Sequence, residues 1–178
     1  MKYNNVYFIN GTAYAGKSTI VKLLAEKYDG IACEENYHDA RIADLNSNEF
    51  PGLTYTRDLK DWREFIRRTP DEYEAWIKET TKECTILELQ ILDELSKQDK
   101  MICVDTNIPT EVLAKISDRD HVLIMLAEPE ISVKCLKRVN SKEIYNHFLN
   151  SGFHVIIRDD KRTIEDTLSL VEKLFKMK

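Results

Sequence analysis

Eight consecutive residues, Gly11-Thr12-Ala13-Tyr14-Ala15-Gly16-Lys17-Ser18, followed by Thr19, have the types and spacing of a phosphate-binding loop. Such a loop must turn main-chain N–H groups inward around an anion, and glycine permits both the close approach and the unusual torsions this needs. A helix starting near Lys17 would aim its positive dipole end at the same anion. Lys17 would reach the β- and γ-phosphates of a nucleoside triphosphate, and the Ser18 hydroxyl would ligate Mg²⁺. Only five glycines occur in the whole chain, and two of them stand six positions apart or closer here, where a side chain would obstruct.

A metal held by Ser18 needs a second oxygen ligand, and in open α/β sheets ligands gather beyond the carboxyl ends of the strands. Asp105 ends an apolar run, Met101 to Val104, and suits that role, directly or through water. Glu34 and Glu35 end a shorter run; one of them, or Asp39 just beyond, could accept a proton from an acceptor hydroxyl. Arg41, Arg63 and Arg67 could clamp an anionic substrate, although arginines beside an apolar stripe also simply cover it. Arg138 and Lys142 lie at a break in helical pattern, where a segment could bring positive charge to a transferring phosphoryl group. His38, His121, His147 and His154 show no metal-binding spacing.

The elements that must position these residues alternate. Val6 to Ile9 is apolar and rich in strand formers, and reads as a buried strand. Ile20, Leu23, Leu24 and Tyr28 mark one face of the helix that follows, with Gly30 as its stop. A short strand is expected over residues 30–34. One helix is expected to carry Leu59, Trp62, Phe65 and Ile66 and to end near Thr69. Thr69-Pro70-Asp71-Glu72 then forms a capping signal for a helix running some 25 residues to Leu95. Strands are expected at 101–104, 121–127 and 153–157. A short helix opens at Pro109, helical pattern covers 130–150 with a break at 139–141, and a final helix is capped by Thr163 and Asp166. Strands alternating with helices imply an α/β domain of three layers with a five-stranded parallel sheet. Only residues 36–96 place two or more helices between strands, which makes them the candidate inserted block.

Composition narrows the class. The 178 residues are 43% apolar, enough for one substantial core and too few for two full domains. The longest apolar run, Val122 to Ala127, is six residues against the roughly 20 that span a bilayer, and the start shows no secretory signal pattern. Twenty-six basic against 31 acidic residues give a net charge of −5, which argues against a nucleic-acid partner. Cys33, Cys84, Cys103 and Cys135 form no Cys-x-x-Cys pair and read as reduced thiols of a cytoplasmic protein. Nothing in the sequence fixes an oligomeric state.

With the loop, Asp105 and the element order in hand, the chain resembles small P-loop kinases of the nucleoside and nucleotide kinase superfamily, such as adenylate, cytidylate, shikimate and gluconate kinases. The layout agrees over the full length, while the motif-level likeness covers Ile9 to Thr19. Asp105-Thr106-Asn107-Ile108-Pro109 is similar to the Asp-Gly-Phe-Pro-Arg signature of adenylate kinases. The resemblance implies a sheet order of 2-3-1-4-5, an acceptor site around Glu34 to Arg68 and a lid over 134–150. It also implies that Asp159 to Thr163, Arg162 included, approaches the adenine. Thr110 stands where the signature has arginine, and the lid segment carries Arg138 as its one arginine. Both departures leave a nucleoside, or an unrelated hydroxyl compound, open as acceptor beside a nucleotide. The expected activity is transfer of the γ-phosphoryl of ATP, with Mg²⁺, to a small molecule. A nucleotide-binding regulatory module with little transfer is the alternative.

Overall fold

A computed structural model describes residues 2–128, 142–158 and 161–177. The chain divides into two compact units, residues 1–35 with 96–178, and residues 36–95.

The first unit is built on five parallel strands, β1 (Val6–Gly11), β2 (Ile31–Cys33), β3 (Ile102–Asp105), β4 (Val122–Ala127) and β5 (His154–Arg158), in the order β2-β3-β1-β4-β5. Every residue of β3 and β4 is buried, as expected of strands covered on both faces. Helices α1 (Lys17–Lys27), α6 (Thr110–Ile116), α7 (Lys142–Leu149) and α8 (Ile164–Leu174) surround the sheet. The crossover from β1 to β2 runs one way across the sheet, and those from β3 to β4 and from β4 to β5 run the other. Right-handed crossovers therefore put α1 on one face and α6 and α7 on the opposite one. Between the sheet and the α1–α8 pair, Ile9, Val21, Leu24, Leu123, Met125 and Val171 form the core. The strand expectations, and those for the helices after β1, β3 and β5, hold here to within a residue or two at the ends, while residues 130–141 of the helical pattern expected over 130–150 lie outside the described residues. The capping box predicted at Thr163 and Asp166 is present, with both reciprocal hydrogen bonds.

The second unit, residues 36–95, is helical: α2 (Asp39–Ile42), α3 (Pro51–Asp58), α4 (Trp62–Ile66) and α5 (Pro70–Leu95). The Thr69–Glu72 box opens α5 as expected, with the Thr69 amide donating to Glu72 at 2.8 Å. The single helix expected over 59–69 is a correction. Leu59 is extended, and the Asp61 side chain accepts from the Arg63 amide, so a new helix starts at Trp62. The expected apolar face is also open, with Trp62 59% and Ile66 77% exposed. The core lies elsewhere, among Phe50, Leu53, Leu87 and Ile91, where α3 packs on α5. Glu83, 3% exposed, accepts hydrogen bonds from the Gly52 and Leu53 amides at 2.9 and 2.8 Å and so satisfies the first turn of α3.

Among the described residues, no helix is long and apolar enough to cross a membrane. Cys33, Cys84 and Cys103 are free thiols.

Candidate functional site

The glycine loop begins at Gly11, the last residue of β1, which pairs with Met125 of β4. A Cβ on Gly11 would lie 1.9 Å from the carbonyl oxygen of Met125, and its φ is +133°, so only glycine fits. Thr12 locks the same junction from both sides. Its amide donates to Met125 O at 3.1 Å, and its Oγ1 accepts from the Ala127 amide at 2.8 Å. The loop then passes through two left-handed residues, Tyr14 at φ 64° and Gly16 at φ 89°. At Tyr14 this conformation is strained, because the residue is not glycine. Arg158, at the end of β5, donates from Nη1 to the Tyr14 carbonyl at 2.8 Å and so helps to hold that conformation. Gly16 is the N-cap of α1, which has neither a side-chain cap nor an acidic residue in its first turn. The positive end of an 11-residue helix therefore faces the loop without compensation from its own sequence.

Three side chains meet beneath this loop. Asp105 ends β3 in register with Ile9 of β1 and is 2% exposed. Ser18 Oγ donates to its Oδ2 at 2.6 Å, and Lys17 Nζ stands 3.6 Å from its Oδ1. Lys17 is itself buried, and donates weakly to Thr12 O at 3.4 Å. Asp105 Oδ1 is buried and has no hydrogen-bond partner. Burial pushes the Asp105 carboxyl above its ordinary range, Lys17 and Ser18 pull it back, and the Glu35 charge pushes it up again. A buried carboxylate whose Oδ1 is faced by the Lys17 ammonium at 3.6 Å without a hydrogen bond, next to a serine hydroxyl, is a hard donor set that suits a divalent cation sharing phosphate oxygens. No group of three or more His, Cys, Asp and Glu side chains that could cage a metal occurs among the described residues. Mg²⁺ requires no such cage, because it commonly takes one or two protein oxygens and completes its shell with water and phosphate.

Glu34 and Glu35 part company just after β2. Glu34 is ion-paired with Lys22 of α1 at 2.9 Å, both about half exposed. Glu35 is the carboxylate whose charge reaches Asp105. On the other side of the loop, a cavity of about 470 Å³ opens between Ala15, Gly16 and Thr19 and the chain after β5. Met125 and Ile156 floor it, and Arg162 and Ile164 flank it. Arg162 is anchored by an Nη2 hydrogen bond to Ile157 O. Arg138, and with it residues 134–141 of the lid expected over 134–150, lies outside the described residues, as does Asp159.

The remaining sequence candidates belong to the second unit. Asp39 Oδ1 lies 3.6 Å from His38 Nε2, and Arg41 donates to Glu94 at 2.6 Å. Arg63 is largely in solvent, 3.6 Å from Asp61. Arg67 lines a shallow depression of about 490 Å³ with Tyr55, Arg68 and Glu72. Arg57 has a purely structural task, donating to the carbonyls of Ile42, Ala43 and Leu45 after α2. Sequence reasoning passed over Arg158. The rule applied to β2 and β3, that polar residues ending strands deserve inspection, would have found it at the end of β5.

The architecture is a parallel α/β sheet of order 2-3-1-4-5 with a glycine loop, a lysine, a serine and an aspartate gathered at one end. No protein-family model matches the chain, and a search of curated proteins returns no significant match.

Proposed function

We propose that the chain is a phosphotransferase of the P-loop kinase type, moving the γ-phosphoryl of ATP to a small-molecule acceptor, first of all a nucleoside or nucleotide. The observation that carries this reading is the convergence of Lys17 and Ser18 on buried Asp105, below an uncapped helix N-terminus. A structural salt bridge alone would leave unexplained why two left-handed residues are held in the loop beside it.

Ser18 and Asp105 would hold Mg²⁺, which supplies charge neutralisation across the phosphate oxygens of ATP. The main-chain N–H groups at the start of α1 bind the polyphosphate through hydrogen bonds and the helix dipole. Lys17 keeps its ammonium at the loop by leaning on Asp105 and Thr12 O, and follows the transferring group as negative charge spreads over it. Glu35, rather than Glu34, would accept the acceptor's proton, since Glu34 is engaged by Lys22 at 2.9 Å. The cavity between Gly16 and Arg162 is lined by apolar side chains, Met125, Ile156 and Ile164 among them, and by polar ones such as Thr19 and Arg162, and its size suits a purine base. Phosphoryl transfer asks little covalent chemistry of a protein, so positioning and charge account for the rate.

The test is ATP-dependent phosphorylation of a panel of nucleosides, nucleotides and hydroxyl compounds, with Mg²⁺, by the unaltered protein and by Lys17→Ala. The expected result is transfer to at least one acceptor, reduced about a thousandfold or more in the variant while its circular dichroism is unchanged. ATP binding without transfer to any acceptor would favour a regulatory module, and unchanged turnover in the variant would overturn the assignment.

A further inference from the structure

Outside the glycine loop, a set of reactive side chains lies in the second unit around His38. Both ring nitrogens of this buried imidazole are occupied. Nδ1 is 3.1 Å from Glu88 Oε1, and Nε2 is 3.5 Å from the Cys84 sulfur. Cys84 and Glu88 stand four residues apart on α5, one helical turn, and so present both groups to the same ring. Asp39 Oδ1 is the third acceptor near Nε2, at 3.6 Å, and the Tyr37 ring meets the imidazole edge-on at 6.3 Å. His38 and Glu88 are 6% and 3% exposed, whereas Cys84 is half-buried and accessible at the surface of the unit.

The hydrogen bonds to Cys84 and to Glu88 together outweigh burial and raise the His38 imidazole to about 10. An imidazolium with a carboxylate behind it and a sulfur in front is the arrangement that activates thiols as nucleophiles. Nothing in the phosphotransfer reading uses it.

The geometry points to Cys84 as a nucleophilic thiol, paired with His38 and oriented by Glu88, that is a site of modification by hydroperoxides. In the step, the Cys84 sulfur attacks the proximal oxygen of the peroxide and the O–O bond breaks. The sulfur is oxidised by two electrons to a sulfenic acid, and the departing hydroxide, or alkoxide from an organic hydroperoxide, takes the His38 proton and leaves as water or alcohol. Glu88 then faces a neutral imidazole. The proposal uses only residues 36–95 and stands or falls apart from phosphotransfer.

The experiment is alkylation of the full chain by iodoacetamide, read residue by residue by mass spectrometry. At pH 7 Cys84 is expected to be alkylated about tenfold or more faster than in the same chain unfolded in urea. Cys103, whose thiol burial pushes up to about 12, is the unreactive internal control. His38→Gln should slow Cys84 at neutral pH about tenfold or more. Hydrogen peroxide at one equivalent, followed by dimedone, should label Cys84 and spare Cys33 and Cys103. A Cys84 no faster in the folded protein than in the unfolded chain overturns the proposal even if His38→Gln fails to fold. Fast alkylation without a dimedone adduct overturns the peroxide assignment.

Discussion

The hydroxyl of Ser18 donates to the carboxylate of Asp105 at 2.6 Å, across 87 residues of sequence and from the first turn of α1 to the end of β3. The hydroxyl and the carboxylate are bound to each other in the same place where both would turn to a cation. Asp105 is accordingly tuned in two directions: burial disfavours its charge, while Lys17 and Ser18 favour it. The first effect dominates, so the folded carboxyl titrates above its unfolded value.

That sign fixes a prediction for Asp105→Asn. A carboxyl whose folded pKa is raised contributes most to stability below its unfolded pKa, and the contribution is lost as pH rises through the folded pKa. The amide removes the buried charge. The variant should therefore unfold at a higher temperature than the unaltered protein near pH 7, and the gap should close on acidification toward the ordinary aspartate range. Mg²⁺-dependent transfer should meanwhile fall about a hundredfold or more. Calorimetric melting at several pH values, with transfer assays on the same samples, checks both halves. A variant that is less stable at neutral pH would show that the pairing with Lys17 outweighs desolvation.

The two glycines of the loop make opposite demands, and alanine distinguishes them. At Gly11 a methyl group would meet Met125 O at 1.9 Å on top of an unfavourable φ, whereas at Gly16 nothing lies within 4 Å and only the left-handed φ of 89° resists. Gly11→Ala should cost about 3 kcal/mol or more, from overpacking between β1 and β4 as well as torsional strain. Gly16→Ala should cost about 1 kcal/mol, from strain alone. Urea denaturation of the two variants measures the difference, and equal losses would mean that β4 yields at no cost.

The parallel sheet was legible because its signals are local and strong. β4 is a six-residue apolar run, and the Thr163–Asp166 capping box closes within three residues. Gly11 and Gly16 could be read as requirements for space and torsion, although only coordinates separate which glycine needs which. The second unit was less legible. α3 begins Pro51-Gly52 and carries Thr54 and Thr56, so weak helix formers hide it, and its stability comes instead from contacts with α5. The apolar spacing of Leu59, Trp62, Phe65 and Ile66 suggested one buried helix face. In the structure the rings of Trp62 and Phe65 pack edge to face at 5.6 Å while Ile66 stays in solvent. Arg158 and the His38 cluster depend on which residues distant in sequence meet, and spacing along the chain does not carry that information.

Glu83 supports the most specific stability prediction in the second unit. A carboxylate 3% exposed would ordinarily need a cationic partner, and here two backbone amides serve in its place at the positive end of α3. Each oxygen is used, Oε1 by Gly52 and Oε2 by Leu53, so the isosteric amide cannot substitute for it. In Glu83→Gln one oxygen becomes an NH₂ group that must face an N–H, which removes one charge-assisted hydrogen bond and introduces a donor–donor contact. The expected loss is about 2 kcal/mol, against about 3 kcal/mol for Glu83→Ala, which leaves both amides unsatisfied. The indole of Trp76 reports on the same place, because its Nε1 donates to Gly52 O at 3.0 Å. Tryptophan fluorescence during denaturation should therefore show the loss. If Glu83→Gln unfolds with the same midpoint as the unaltered protein, the α3 amides find other partners and the carboxylate is not what holds α3 on α5.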